Sequence, residues 1–185
     1  MGIGKRTPLA TVPTLIVTGP VGVGKTRVAY EIANLLEEVA LPHACIDLDT
    51  LRSCYPRPPQ DRFNLALGLK NLGVIWENCR LAGATHLILA DVVESPGERA
   101  DYQLAVPGAA ITIVRLRATI ATLTARVGGR ETGSGLDWHL RRAAELAAQM
   151  DRDQVEDFVV ETDGRAVTTI AHEIIDRCGW LAQPR

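Results

Sequence analysis

The sequence predicts an α/β fold in which five parallel strands form one sheet with helices on both faces. Three observations carry this. Five short apolar runs recur along the 185 residues, and each is followed by a helix-like segment. Alternation of that kind over a whole chain is the pattern of a parallel sheet covered on both sides. The runs are β-branched or Leu-rich and too short for helices. A glycine-rich turn joins the first run to the first helix.

The elements follow in order. Residues 1–13 are basic and lack a continuous apolar stretch, so they read as a flexible N-terminal arm rather than a signal peptide. Residues 14–185 are expected to form one domain. Its first strand is Leu15–Thr18. A helix over Lys25–Ala40 follows, with Val28, Ile32, Leu35, Leu36 and Val39 on one stripe. Ala44–Leu48 and His86–Ala90 are the next strands, separated by a helix over Phe63–Leu81. A short helix near Pro96–Ala105 leads to the strand Ile111–Leu116. Helices Ile120–Val127 and Asp137–Met150 precede the strand Asp157–Glu161 and the helix Ala166–Cys178. Two segments break the alternation. Cys54–Arg62 is proline-rich and cannot be helix interior. Gly128–Gly135 is glycine-rich. Ligands of open α/β sheets bind beyond the carboxyl ends of strands, and either segment could lie there or be an ordinary surface loop.

Gly19 to Thr26 reads G-P-V-G-V-G-K-T, a Gly, four residues, then Gly-Lys-Thr. In the context of strand, loop and helix this is the phosphate-binding loop. Glycines Gly19, Gly22 and Gly24 allow the backbone to curl and approach a ligand closely. The N–H groups of Val21, Gly22, Val23, Gly24, Lys25, Thr26 and Arg27 can then cradle phosphates at the start of a helix. Lys25 supplies a point charge for the β- and γ-phosphates. The Thr26 hydroxyl is a ligand for Mg²⁺. The expected cofactors are therefore ATP and Mg²⁺. A guanine-reading Asn-Lys-x-Asp is absent from the sequence.

Carboxylates and arginines cluster after the strands. Asp47, Asp49 and Arg52 follow the second strand. Residues two apart point to one strand face, so Asp47 and Asp49 share a face if the strand stays extended. A carboxylate there can orient an acceptor hydroxyl and take its proton. Asp49 could equally be a helix N-cap. Asp47 and Arg52 are candidate acceptor-binding residues. Asp91 ends the third strand, where it could hold Mg²⁺ through water or simply begin a turn, with Glu94 as a weaker substitute. Arg126 and Arg130 flank the glycine-rich break. They are either nucleotide-contacting lid arginines, Arg130 meeting the transferring phosphoryl group, or solvated surface arginines. Trp138 reads as packing.

The phosphate loop with Asp47-Leu-Asp49-Thr-Leu-Arg52 resembles the small phosphate-loop kinases of the adenylylsulfate kinase type, whose pattern is Asp-Gly-Asp-Asn-x-Arg. Leu48 and Thr50 stand in place of that Gly and Asn. Asp49-Thr-Leu is similar to the chloramphenicol phosphotransferase type, where an Asp activates the acceptor hydroxyl. The resemblance implies a small-molecule kinase and a strand order of 2-3-1-4-5.

Bulk properties narrow the partners. A net charge of −2 gives no electrostatic case for nucleic acid or a membrane surface. No apolar stretch approaches a membrane span. Four cysteines, Cys45, Cys54, Cys79 and Cys178, have neither metal-hook nor redox spacing. The expectation is a cytoplasmic monomer or homodimer with a small-molecule acceptor.

Overall fold

The computed structural model describes residues 11–129 and 136–181. The chain runs β1 (Val12–Thr18), α1 (Lys25–Glu38), β2 (His43–Asp47), α2 (Leu48–Leu51), α3 (Leu65–Leu81), β3 (His86–Ala90), α4 (Glu98–Ala105), β4 (Ala109–Arg117), α5 (Ile120–Gly128), α6 (Leu136–Asp153), β5 (Phe158–Glu161) and α7 (Val167–Cys178). All five strands are parallel, in the order β2-β3-β1-β4-β5. This is the expected order. β1 sits in the middle, so the loop that follows it opens at the centre of the sheet edge.

The central strand shows why the sheet needs two helical layers. Successive side chains of a strand point to opposite faces. Leu15 and Val17 enter the core built with Val28, Ile32, Leu36, Ile170 and Ile174 of α1 and α7. Val12 and Ile16 enter the other, with Leu72 and Trp76 of α3 and Tyr102 of α4. Leu15, Ile16 and Val17 are each 0% exposed, which explains an uninterrupted apolar run where a half-buried strand would alternate.

Two boundaries differ from expectation. β1 begins at Val12, inside the segment assigned to the arm, because Val12 pairs with Ala109 and packs in the core. β2 ends at Asp47 and a one-turn helix starts at Leu48. Asp47 and Asp49 therefore do not share a strand face. The α2 segment is too short to show a helical period in sequence.

The turn after β1 explains two of its glycines. Gly19 has φ 144°, and a Cβ there would stand 2.6 Å from the Leu116 carbonyl oxygen. Gly22 has φ 83°, and its Cβ would stand 2.6 Å from Val127 Cγ2. The loop is thus pressed against β4 on one side and α5 on the other, closer than any side chain permits.

Candidate active site

The loop ends at Gly24, the N-cap of α1. Gly24 adopts the left-handed conformation, provides no side-chain cap, and no acidic residue occupies the first turn. The orphan N–H groups of a 14-residue helix are left for a ligand, and the helix dipole favours an anion. Lys25 Nζ lies back over the loop, donating to the carbonyls of Gly19 at 3.0 Å and Pro20 at 3.4 Å. Burial pushes its pKa below the ordinary lysine value, while Asp49, Asp91 and Asp47 pull it back up. Val23 differs from the expected cradle: its side chain is in the core and its N–H donates to Pro20 O.

Beside the loop, Thr26 Oγ1 donates to Asp47 Oδ2 at 2.7 Å, and Asp47 Oδ1 accepts from Asp49 N at 2.9 Å. Asp47 is therefore the N-cap of α2, a place the sequence reading offered to Asp49. The Asp49 side chain is 76% exposed and reaches Arg52 Nη2 at 2.9 Å.

Arg52 is the hub of the far side. Its guanidinium donates to Asp91 Oδ1 as well as to Asp49. Asp91 also accepts from Tyr102 Oη at 2.6 Å and from Val92 N at 2.7 Å. Burial lowers the Arg52 pKa, but Asp91 and Asp49 raise it more, so the guanidinium stays charged. Burial pushes the Asp91 carboxyl up, against Arg52, Tyr102 and the Val92 N–H. Both Asp91 oxygens are thus engaged within the chain, one of them by Arg52; the sequence offers this residue to Mg²⁺ through water. The carboxylate beside Thr26 is Asp47, which had been expected at the acceptor.

Of these groups Lys25, Thr26, Asp49 and Arg52 border one cavity of about 540 Å³. Val21, Gly22, Gly24, Lys25, Thr26 and Arg27 form one wall. Asp49, Arg52, Phe63 and Leu65 form the second, and Val92, Glu94 and Glu98 the floor. Trp138, His139, Arg142 and Leu146 of α6 form the third wall. Sequence reasoning left Phe63 and Arg142 without a role and treated Trp138 as packing. A signal was present: Trp138, Arg142 and Leu146 recur every four residues, which places them on one helix face. Arg141, off that face, is exposed.

Arg126 does not border the cavity. It donates to Val23 O at 2.9 Å and to Thr162 Oγ1 and O, both at 3.2 Å. The structure makes it a bracket between the loop, α5 and the segment after β5. Arg130 lies outside the described residues.

Thr26 and Asp47 present a hydroxyl and a carboxylate oxygen, the hard donors that Mg²⁺ takes. Among the described residues no group of three or more His, Cys, Asp or Glu could hold a metal.

A central parallel sheet with a glycine loop after its middle strand is the phosphate-loop NTPase fold, in the form adopted by small kinases. Among solved structures, the chain is similar to a gluconokinase from Sinorhizobium meliloti 1021, with TM-score 0.62, 21% identity, and 94% of this chain and 95% of that one covered. It is similar to the Deinococcus radiodurans tunicamycin resistance protein, with TM-score 0.62, 17% identity, and 91% and 96% covered. It is also similar to the APS kinase of Mycobacterium tuberculosis solved with AMPPNP and APS, with TM-score 0.61, 23% identity, and 90% and 97% covered. At these identities the likeness carries the fold. No family model and no curated protein matches the chain. No helix among the described residues is long and apolar enough to cross a membrane.

Proposed function

We propose that this protein is an ATP-dependent phosphotransferase that moves the γ-phosphoryl group of Mg·ATP to a hydroxyl of a small molecule. The observation that carries the reading is that Lys25 and Asp49 line one cavity, beside an uncapped helix N-terminus. The loop and the start of α1 bind the triphosphate, with Lys25 at the β- and γ-phosphates. Thr26 and Asp47 would hold Mg²⁺, which neutralises charge on the phosphates.

The acceptor fills the space between α2–α3 and α6. Its hydroxyl oxygen attacks the γ-phosphorus as the bond to the β,γ-bridging oxygen breaks, and ADP leaves. Asp49 accepts the hydroxyl proton. Arg52 holds Asp49 in place.

The test is acceptor-dependent release of ADP from purified protein across a panel of hydroxyl compounds. The reading expects turnover with at least one acceptor and its loss in Lys25→Ala with the fold retained. ADP release that no acceptor stimulates would replace it with a hydrolytic NTPase.

A further inference from the structure

The acceptor side of the cavity is charged, yet its charges are already matched inside the chain. Arg52 donates to Asp91 and Asp49. Arg142 donates to Glu94 Oε1. Glu98 accepts from the N–H groups of Glu94 and Ser95, at 3.1 and 3.0 Å, and from Ser95 Oγ at 3.1 Å. Among the described residues that line the cavity, the cations with no carboxylate partner are Lys25 and Arg27, and both belong to the phosphate loop and the start of α1. The acceptor half holds Asp49, Glu94 and Glu98 against Arg52 and Arg142, with Asp91 directly behind Arg52.

The remaining surface there is apolar and partly open. Phe63 is 39% exposed, Leu65 43% and Trp138 36%. Phe63 and Leu65 sit on one wall and Trp138 on another. Aromatic side chains bordering a cavity offer flat apolar faces, and they gain when a ring or hydrocarbon covers them. A carboxylate entering this space would lose its water and face carboxylates, with no unpaired guanidinium among the described residues lining the acceptor half to replace that water.

We infer that the acceptor is an uncharged hydroxyl compound with a ring or comparable flat apolar face, rather than a hydroxy acid or a phosphorylated sugar. This rests on the phosphotransfer reading and names the substrate class of that same site. Glu94 is then a specificity determinant: it silences Arg142, which would otherwise recruit anions.

The experiment uses the full chain and matched pairs of aryl hydroxy acids, each as the free carboxylate and as its methyl ester, beginning with phenyl glucuronide. Each pair has the same hydroxyls and differs in one charge. Mg·ATP binding is first measured by calorimetry, and acceptor-dependent ADP release follows. The ester should exceed the acid in apparent kcat/KM by at least about tenfold, the cost of an unpaired charge. Glu94→Gln should shift that ratio toward the acid by about tenfold, because Arg142 is released for a carboxylate. Trp138→Ala should weaken the ester by up to about tenfold and leave Mg·ATP affinity unchanged.

An acid used as well as its ester would overturn the inference. So would a ratio unmoved in Glu94→Gln, or acceptor-dependent ADP release with other hydroxyl compounds while neither member of any pair is turned over. Failure to bind Mg·ATP, or ADP release that no hydroxyl compound of any kind stimulates, would instead overturn the parent reading.

Discussion

The Thr26 hydroxyl donates a 2.7 Å hydrogen bond to Asp47, the last residue of the edge strand β2. One carboxylate therefore does two things. Its Oδ2 stands at the start of α1 beside the phosphate loop, while its Oδ1 caps α2, the turn that carries Asp49.

The two roles of Asp47 separate by substitution. Asn caps a helix about as well as Asp, so Asp47→Asn should keep stability while raising the Mg²⁺ concentration needed for half-maximal turnover by about tenfold or more. Asp47→Ala should show the same metal effect and also lose about 1 kcal/mol of stability with the cap. Mg²⁺ titrations and denaturant unfolding of both variants check this. An Asp47→Asn enzyme with an unchanged Mg²⁺ requirement would remove the carboxylate from the metal site.

Asp49 no longer has a capping role to explain it. Asp49→Asn should lower kcat by about 10²–10⁴-fold, the usual contribution of a general base, and leave ATP affinity nearly unchanged. Steady-state kinetics with separate nucleotide binding decides it. A fully active variant would leave the acceptor hydroxyl to another group.

Arg52 and Asp91 lie on different strand connections, and each is buried around the other. Removing Asp91 leaves the half-buried Arg52 with only the exposed carboxylate of Asp49, so Asp91→Ala should cost up to about 3–5 kcal/mol in chemical denaturation. Tyr102→Phe removes one hydrogen bond to the carboxylate and should cost about 1.5–3 kcal/mol. An Asp91→Ala protein as stable as wild type would mean that Asp49 alone suffices for Arg52.

Lys25 gives a pH signature. Its pKa in the free protein is lowered from 10.5 by burial, with Asp49, Asp91 and Asp47 opposing. While protonated, such a lysine costs the fold stability. That cost fades as pH rises through the depressed folded value and is gone by the unfolded value of 10.5. Phosphate oxygens raise the pKa again on binding. ATP binding should therefore take up protons in the alkaline range below 10.5, by an amount that grows as pH rises through the depressed value. Calorimetry in buffers of different ionisation enthalpy measures the uptake. Zero uptake across that range would mean the lysine is fully protonated in the free protein.

Arg126 holds the loop from behind through Val23 O and Thr162. Arg126→Ala should raise the ATP dissociation constant by about tenfold by freeing a loop that binds best when preorganised. Arg126→Lys should rescue little, since a single ammonium cannot reproduce the fork. Direct nucleotide binding by both variants reads this out. Wild-type affinity in Arg126→Ala would leave the bracket with a purely structural role.

The parts of this molecule that follow from local pattern were legible in sequence. The five strands and the loop depend on residue type over a few positions, and parallel βα units leave few arrangements. The pairing of Arg52 with Asp91 was not legible, because it joins positions 39 apart and depends on side-chain reach. The roles of Asp47 and Asp49 turned on whether β2 ended one residue earlier or later, where periodicity has no resolution. The wall formed by Trp138 and Arg142 was present as a four-residue repeat. Its direction became apparent only with the neighbouring α2–α3 wall in place.

Both ends of the proline-rich stretch between α2 and α3 are tied down. Asn64 Nδ2 donates to the carbonyls of Arg52 and Cys54, each at 3.0 Å. Asp61 accepts from Leu65 N at 2.8 Å and Ala66 N at 3.0 Å, and Asn71 Nδ2 holds Leu51 O at 2.7 Å. The intervening residues 55–60 are exposed and can vary in length and character without disturbing Asp49, Arg52 or the start of α3. Evolution, or a designer grafting a foreign loop, can thus reshape the rim near Phe63 while the reacting groups keep their positions. Such a scaffold can diversify its clientele without rebuilding its chemistry.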